Sequence, residues 1–287
     1  MKSSERMYEV SAIGRPLDPG YGTNRAVLVL LPIGAIVAAG VALAGGAGPG
    51  AAAVRAVLGI FAMLLPWALA REVAPDDEVT GAFLALALGY AAWLWLDAAL
   101  LPVVAALLFA RVVGRSTGLA ATGLDSLVVA AVALFAAWRA GTPWPAVAGA
   151  GAFVLDAVLV PGRPRQWLFA GLCAAGGVAL TTAGVAPDVV PVQPGLVPRT
   201  AATVITVLAI ALMATTRSVR ARGDATGEPL SAARVRAGQF AVLLTALAVA
   251  ASGSTGIETG AVIWAVLAGV AVPAFVRGLA TAGGRPS

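Results

Sequence analysis

Histidine is absent from the 287 residues, and the single cysteine, Cys173, lies inside an apolar run. The first absence excludes histidine-based catalytic triads, imidazole metal ligands and the usual proton relay near neutral pH. The second excludes an internal disulfide and any metal site built from several thiolates. Charge is also scarce: 11% of the residues are charged, against about 25% in an ordinary soluble domain. Hydrocarbon takes its place, with 60% apolar residues and a mean hydropathy of +0.91. This composition implies a membrane protein with no room for a soluble domain. A net charge of +5 and a pI near 10.3 could point to nucleic acid, but the basic residues fall singly between apolar runs, with no basic domain and no interleaved aromatics. Their pattern is topological.

Apolar runs and their breakers predict an all-α, polytopic membrane helix bundle of about ten spans, near residues 26–45, 54–70, 79–96, 98–112, 124–138, 146–160, 166–185, 199–216, 238–253 and 259–276. Residues 1–25 form a polar N-terminal segment, 26–276 the bundle and 277–287 a tail. The leader is long and its apolar run exceeds a signal-peptide core, so Val41-Ala42-Leu43-Ala44 reads as part of an uncleaved first helix. One helix over 79–112 would measure about 50 Å against a hydrocarbon core of about 30 Å, so a tight turn is placed at Leu96-Asp97. Breaking at Gly141-Thr142-Pro143 divides the spans into halves, 26–138 and 146–276. The proline-rich link ending at Pro198 should be extended, and the arginine-rich link from Arg217 to Arg236 should face lipid headgroups.

The basic residues test this topology. With both termini in the cytoplasm, every lysine and arginine except Arg55, Arg139 and Arg199 falls on the cytoplasmic side, as the positive-inside rule requires. Tyr90, Trp93, Trp95, Trp138 and Trp144 fall near outer turns, and Trp67 and Trp167 near inner ones, at the depth of an aromatic belt.

Two groups of carboxylates could carry chemistry. Arg71 to Glu78 contains Glu72, Asp76, Asp77 and Glu78. Helix dipoles and turn formation at Pro75 account for its charges. Clustered carboxylates also bind Mg²⁺ and could hold a diphosphate, with Asp76, Asp77 and Glu78 as the metal ligands. Asp156 lies about one turn inside the cytoplasmic end of the sixth span. An intramembrane carboxylate is a candidate for proton coupling or cation binding, and a structural pairing with Arg163 or Arg165 is the plain alternative. Asp97 and Asp125 with Ser126 read as helix N-caps, and Thr255-Gly256-Ile257-Glu258 as a capping box before the last span. Pro32, Pro66, Pro102 and Pro273 fall inside apolar spans, where they would kink helices.

The acidic stretch follows the second span, where it resembles in position the first Asp-rich motif of membrane prenyltransferases. Their Asn-Asp-x-x-x-Asp pattern is missing, and the link after the sixth span offers Pro161-Gly162-Arg163-Pro164-Arg165 in place of a second motif. In length, helix number and five-plus-five division the chain resembles the drug/metabolite transporter layout. That resemblance implies a secondary small-molecule transporter of a prokaryotic inner membrane, with a pathway along Asp156, the fourth helix around Pro102, and Asp97. Its partners would be the bilayer, a small-molecule substrate and a membrane-protein partner or second copy, with no nucleic acid and no cofactor. A non-catalytic membrane subunit and a Mg²⁺-dependent lipid or isoprenoid transferase are the alternatives.

Overall fold

A computed structural model describes residues 8, 10–96, 98–183, 195–253 and 255–283, with side chains to residue 280. The described residues form α1 (Gly22–Ala44), α2 (Pro49–Val73), α3 (Thr80–Trp95), α4 (Leu101–Gly114), α5 (Gly123–Ala140), α6 (Trp144–Val158), α7 (Gln166–Thr182), α8 (Leu196–Thr215), α9 (Ala232–Ala250) and α10 (Ala261–Gly283), with one helical turn, Gly256–Thr259, before α10. Among them there is no strand, and only Arg222 and Pro229 form an isolated bridge. The protein is all-helical. Six helices, α1, α2, α5, α8, α9 and α10, are long and apolar enough to cross a membrane. The remaining four have 14 to 17 residues, or roughly 21–26 Å at 1.5 Å per residue.

Local chemistry sets the boundaries. The run 79–112 breaks into α3 and α4, and Pro102 lies in the first turn of α4, where a missing N–H costs nothing. It therefore starts α4, whereas Pro32, Pro66 and Pro273 lie inside α1, α2 and α10. Thr122 caps α5 by accepting from the Asp125 N–H, and Asp125 closes the capping box, so Asp125 is the third helical residue and not the cap itself. The box expected at Thr255 does not form: its side chain makes no capping bond. Trp95, Trp138, Trp144 and Trp167 are exposed as a belt requires, but Trp67, Tyr90 and Trp93 are buried. Asp97 and residues 184–194 of the proline-rich link lie outside the described residues.

Two hydrophobic cores share a central helix pair. One contains Trp67 and Leu69 of α2, Leu86 of α3 and Ile263 and Leu267 of α10; the other contains Val129 of α5, Phe153 of α6 and Cys173 of α7. Helix α4 feeds both, through Val103 and Leu107 on one side and Phe109 and Val113 on the other, and α9 does likewise through Val242 and Ala241. Small residues allow the close approach of these helices. At Gly269 of α10 an added Cβ would lie 2.6 Å from the Cα and N of Ala85 in α3, and backbone cannot rotate away. Gly269→Ala should therefore lower stability by about 1–3 kcal/mol, read as a fall in the thermal unfolding midpoint in detergent; an unchanged midpoint would contradict this contact.

Polar contacts gather alternate helix ends at one end of the bundle. Arg71 near the end of α2 donates to Asn24 at the start of α1, Arg115 after α4 meets Asp156 near the end of α6, and Gln166 begins α7 on the same carboxylate. At the opposite end, Thr142 donates to Ser252 and Arg55 stacks 4.3 Å from the Trp93 ring. The helices thus alternate in direction along the bundle.

Candidate functional site

Asp156 has no exposed surface. Arg115 donates to its Oδ1 from Nε at 2.9 Å and Nη2 at 2.7 Å, Arg234 donates Nη1 to the same oxygen at 2.8 Å, and Gln166 donates Nε2 to Oδ2 at 3.0 Å. Two guanidinium groups on one carboxylate leave a surplus positive charge. Arg234 spreads it over the carbonyls of Val113, Leu159 and Pro161. Arg115 caps α4 in the left-handed conformation, with φ 51, a position that normally selects glycine. Its bonds to Asp156 offset that cost. Neither Arg163 nor Arg165 makes the pairing expected from sequence, and Arg165 instead donates to the Ala121 carbonyl.

A second buried acid lies on α2. The Glu72 side chain is 2% exposed, and its Oε1 accepts from Arg15 Nη1 and Arg111 Nε, each at 3.1 Å. Arg15 belongs to the N-terminal segment, whose residues 10–20 lie across this end of the bundle. It also binds Asp224 of the link after α8, through Nε at 2.6 Å and Nη2 at 2.9 Å. Burial alone would lower the Arg15 pKa, but the Glu72 and Asp224 carboxylates raise it above its ordinary value. The segment is fixed further by Ser11 and the Ala12 N–H on Asp125, at 2.7 and 2.9 Å, and by Thr117 on the Ala12 carbonyl.

Between this segment, α2, α4 and the link lies a cavity of about 620 Å³. Arg15, Arg71, Arg111 and Arg222 line it with Asp18, Glu78 and Asp224; Leu64, Leu65 and Leu107 supply apolar surface, and Tyr8, Tyr21 and Trp67 aromatic surface. Burial raises the Tyr8 pKa, and Asp224 raises it further.

The acidic stretch does not converge. Asp76 accepts from the N–H groups of Arg220 and Ala221, Asp77 binds Arg277 at 2.6 Å, and Glu78 is 3.9 Å from Arg71. Among the described residues no three His, Cys, Asp or Glu side chains group as a metal site. Neither Asp156 nor Pro102 lines the cavity.

Sequence reasoning missed Arg15, Arg111, Arg115, Gln166 and Arg234 as partners of buried acids. The link expected to face headgroups packs over the bundle through Asp76, Ser116 and Thr117. Arg234, assigned to that link, lies inside α9 and is 4% exposed. One signal was available: a buried carboxylate needs cationic partners, and arginines stand at several helix ends, among them Arg71, Arg111, Arg115 and Arg234.

Comparison of the chain with protein-family models, curated proteins and solved structures finds no match.

Proposed function

We propose that the chain is a secondary transporter of a small molecule, set in a prokaryotic inner membrane through ten helices with both termini in the cytoplasm. The observation that carries this reading is the cavity of about 620 Å³ among the arginine-bearing helix ends. A concave site with apolar walls and a few polar groups is the usual form of a small-molecule site. The orientation is supported by the arginine distribution. The Glu72 and Asp156 nodes join the N-terminal segment and several helices through ion pairs, the kind of contact that two-state gating can break and reform. Exposed apolar residues on α8, such as Val204, Val207 and Ile210, meet lipid in this arrangement. The transferase alternative draws no support from Asp76, Asp77 and Glu78, which engage separate partners.

Counterflow in proteoliposomes tests the proposal. Vesicles holding the purified chain, preloaded in turn with unlabelled organic acids, amines and neutral solutes, should accumulate the matching labelled solute above empty vesicles for at least one class. No counterflow across the panel would contradict transport.

A further inference from the structure

We infer that the cavity is an oxyanion site, in which Arg71, stacked on Trp67, receives the carboxylate or phosphate of an organic anion whose apolar part lies on Leu64, Leu65 and Leu107. The assignment rests on reading the cavity as a ligand site and adds the chemical class of the ligand.

The partners of each arginine select the position. Arg15 and Arg111 are committed to Glu72, and Arg15 also to Asp224. Arg71 is not committed in this way. Its side chain is 16% exposed, its Nη1 donates to Asn24 at 3.0 Å, and the nearest carboxylate, Glu78, is 3.9 Å away and half-exposed. A guanidinium carries five N–H donors, and those of Arg71 have one close acceptor among the described residues. One turn earlier on the same face of α2, Trp67 is 2% exposed, and its indole N–H has no acceptor among the described residues. The Arg71 guanidinium lies 4.9 Å from the Trp67 ring. Both residues line the cavity, and Arg222 adds a further guanidinium there.

A guanidinium with spare donors on a cavity wall calls for a ligand that brings acceptors. A carboxylate or phosphate supplies several lone pairs to a planar guanidinium. A cationic amine would supply none; of the cavity's carboxylates, Asp224 is held by Arg15, Asp18 accepts from the Gly20 N–H, and Glu78 lies 3.9 Å from Arg71. The leucines distinguish an organic anion from inorganic phosphate, which would leave their surface uncovered. The oxyanion could be free in the cytoplasm or the headgroup phosphate of an anionic lipid, since both present the same acceptor group.

The test measures binding to the purified full chain in detergent by thermal shift and tryptophan fluorescence, with benzoate, phenyl phosphate, benzamide and benzylamine as probes. Benzoate or phenyl phosphate should raise the unfolding midpoint, and benzamide and benzylamine should not. Arg71→Gln should weaken anion binding about tenfold or more, the effect of losing a charge-assisted pair. Arg222→Gln, in the exposed link, provides a variant that leaves the helices intact and should weaken binding about threefold. A parallel arm compares micelles containing phosphatidylglycerol with micelles of phosphatidylcholine alone; stabilisation by phosphatidylglycerol that Arg71→Gln removes assigns the oxyanion to a lipid headgroup. Anion binding unmoved by both substitutions, or a preference for benzylamine, overturns the site. Arg71-dependent anion binding without counterflow of any solute upholds the site and removes the transporter reading. Counterflow of amines or neutral solutes that Arg71→Gln leaves unchanged does the reverse.

Discussion

Asp156→Asn should destabilise the folded protein by about 3–5 kcal/mol, the cost of breaking a buried ion pair by removing one partner. The amide keeps the shape of the carboxylate but loses its charge. Arg115 and Arg234, 7% and 5% exposed at the side chain, then face each other with no anion between them. Arg115 also loses the contacts that hold its left-handed backbone at the end of α4. The measurement is the thermal unfolding midpoint in detergent, with the Asp156→Asn, Arg115→Gln double variant completing a mutant cycle. The second substitution should recover part of the loss, because it removes one of the uncompensated charges. If Asp156→Asn instead kept wild-type stability and abolished only transport, Asp156 would be a pathway residue, the role its position in the sequence implies.

Glu72→Gln should have an effect of similar size, about 3 kcal/mol, with a different signature. Glu72 joins Arg111 of α4 to Arg15 of the N-terminal segment. Losing its charge unfastens that segment from α2 while leaving the bonds of Asp125 to Ser11 and Ala12 in place. Residues 10–20 should therefore exchange backbone hydrogen faster than in the wild type, ahead of any change in the helices. Uniform exchange across the chain would show that Glu72 stabilises the bundle as a whole and does not fix the segment.

Helix positions were legible because apolar runs and proline or glycine breakers act locally. The break between α3 and α4 followed from membrane thickness, but Pro102, read from sequence as a kink inside the span, lies in the first turn of α4. The ion-pair partners were not legible, because they are set by packing. Asp156 has Arg163 and Arg165 nearby in the sequence, yet it pairs with Arg115 and Arg234, 41 and 78 residues away. Hydropathy also cut α9 short: Arg234 and Arg236 look like the end of a span, but a guanidinium bonded to Asp156 and three carbonyls is satisfied inside a helix end. The N-terminal segment looked like a solvated leader. Its short buried patch, Ala12 and Ile13, carries no periodicity that a sequence reading can detect.

The proposed function puts the ligand cavity at the cytoplasmic end of a membrane-spanning bundle, and side-specific cysteine labelling tests it most directly. Cys173 is fully buried and is replaced by alanine to remove any background. Leu64→Cys then reports the cavity wall, and Gly48→Cys reports the link between α1 and α2, where an added side chain meets open space. With a membrane-impermeant maleimide, Leu64→Cys should react in inside-out vesicles and Gly48→Cys in right-side-out spheroplasts. Labelling of Leu64→Cys from the outside, or from neither side while Gly48→Cys reacts, would contradict the account.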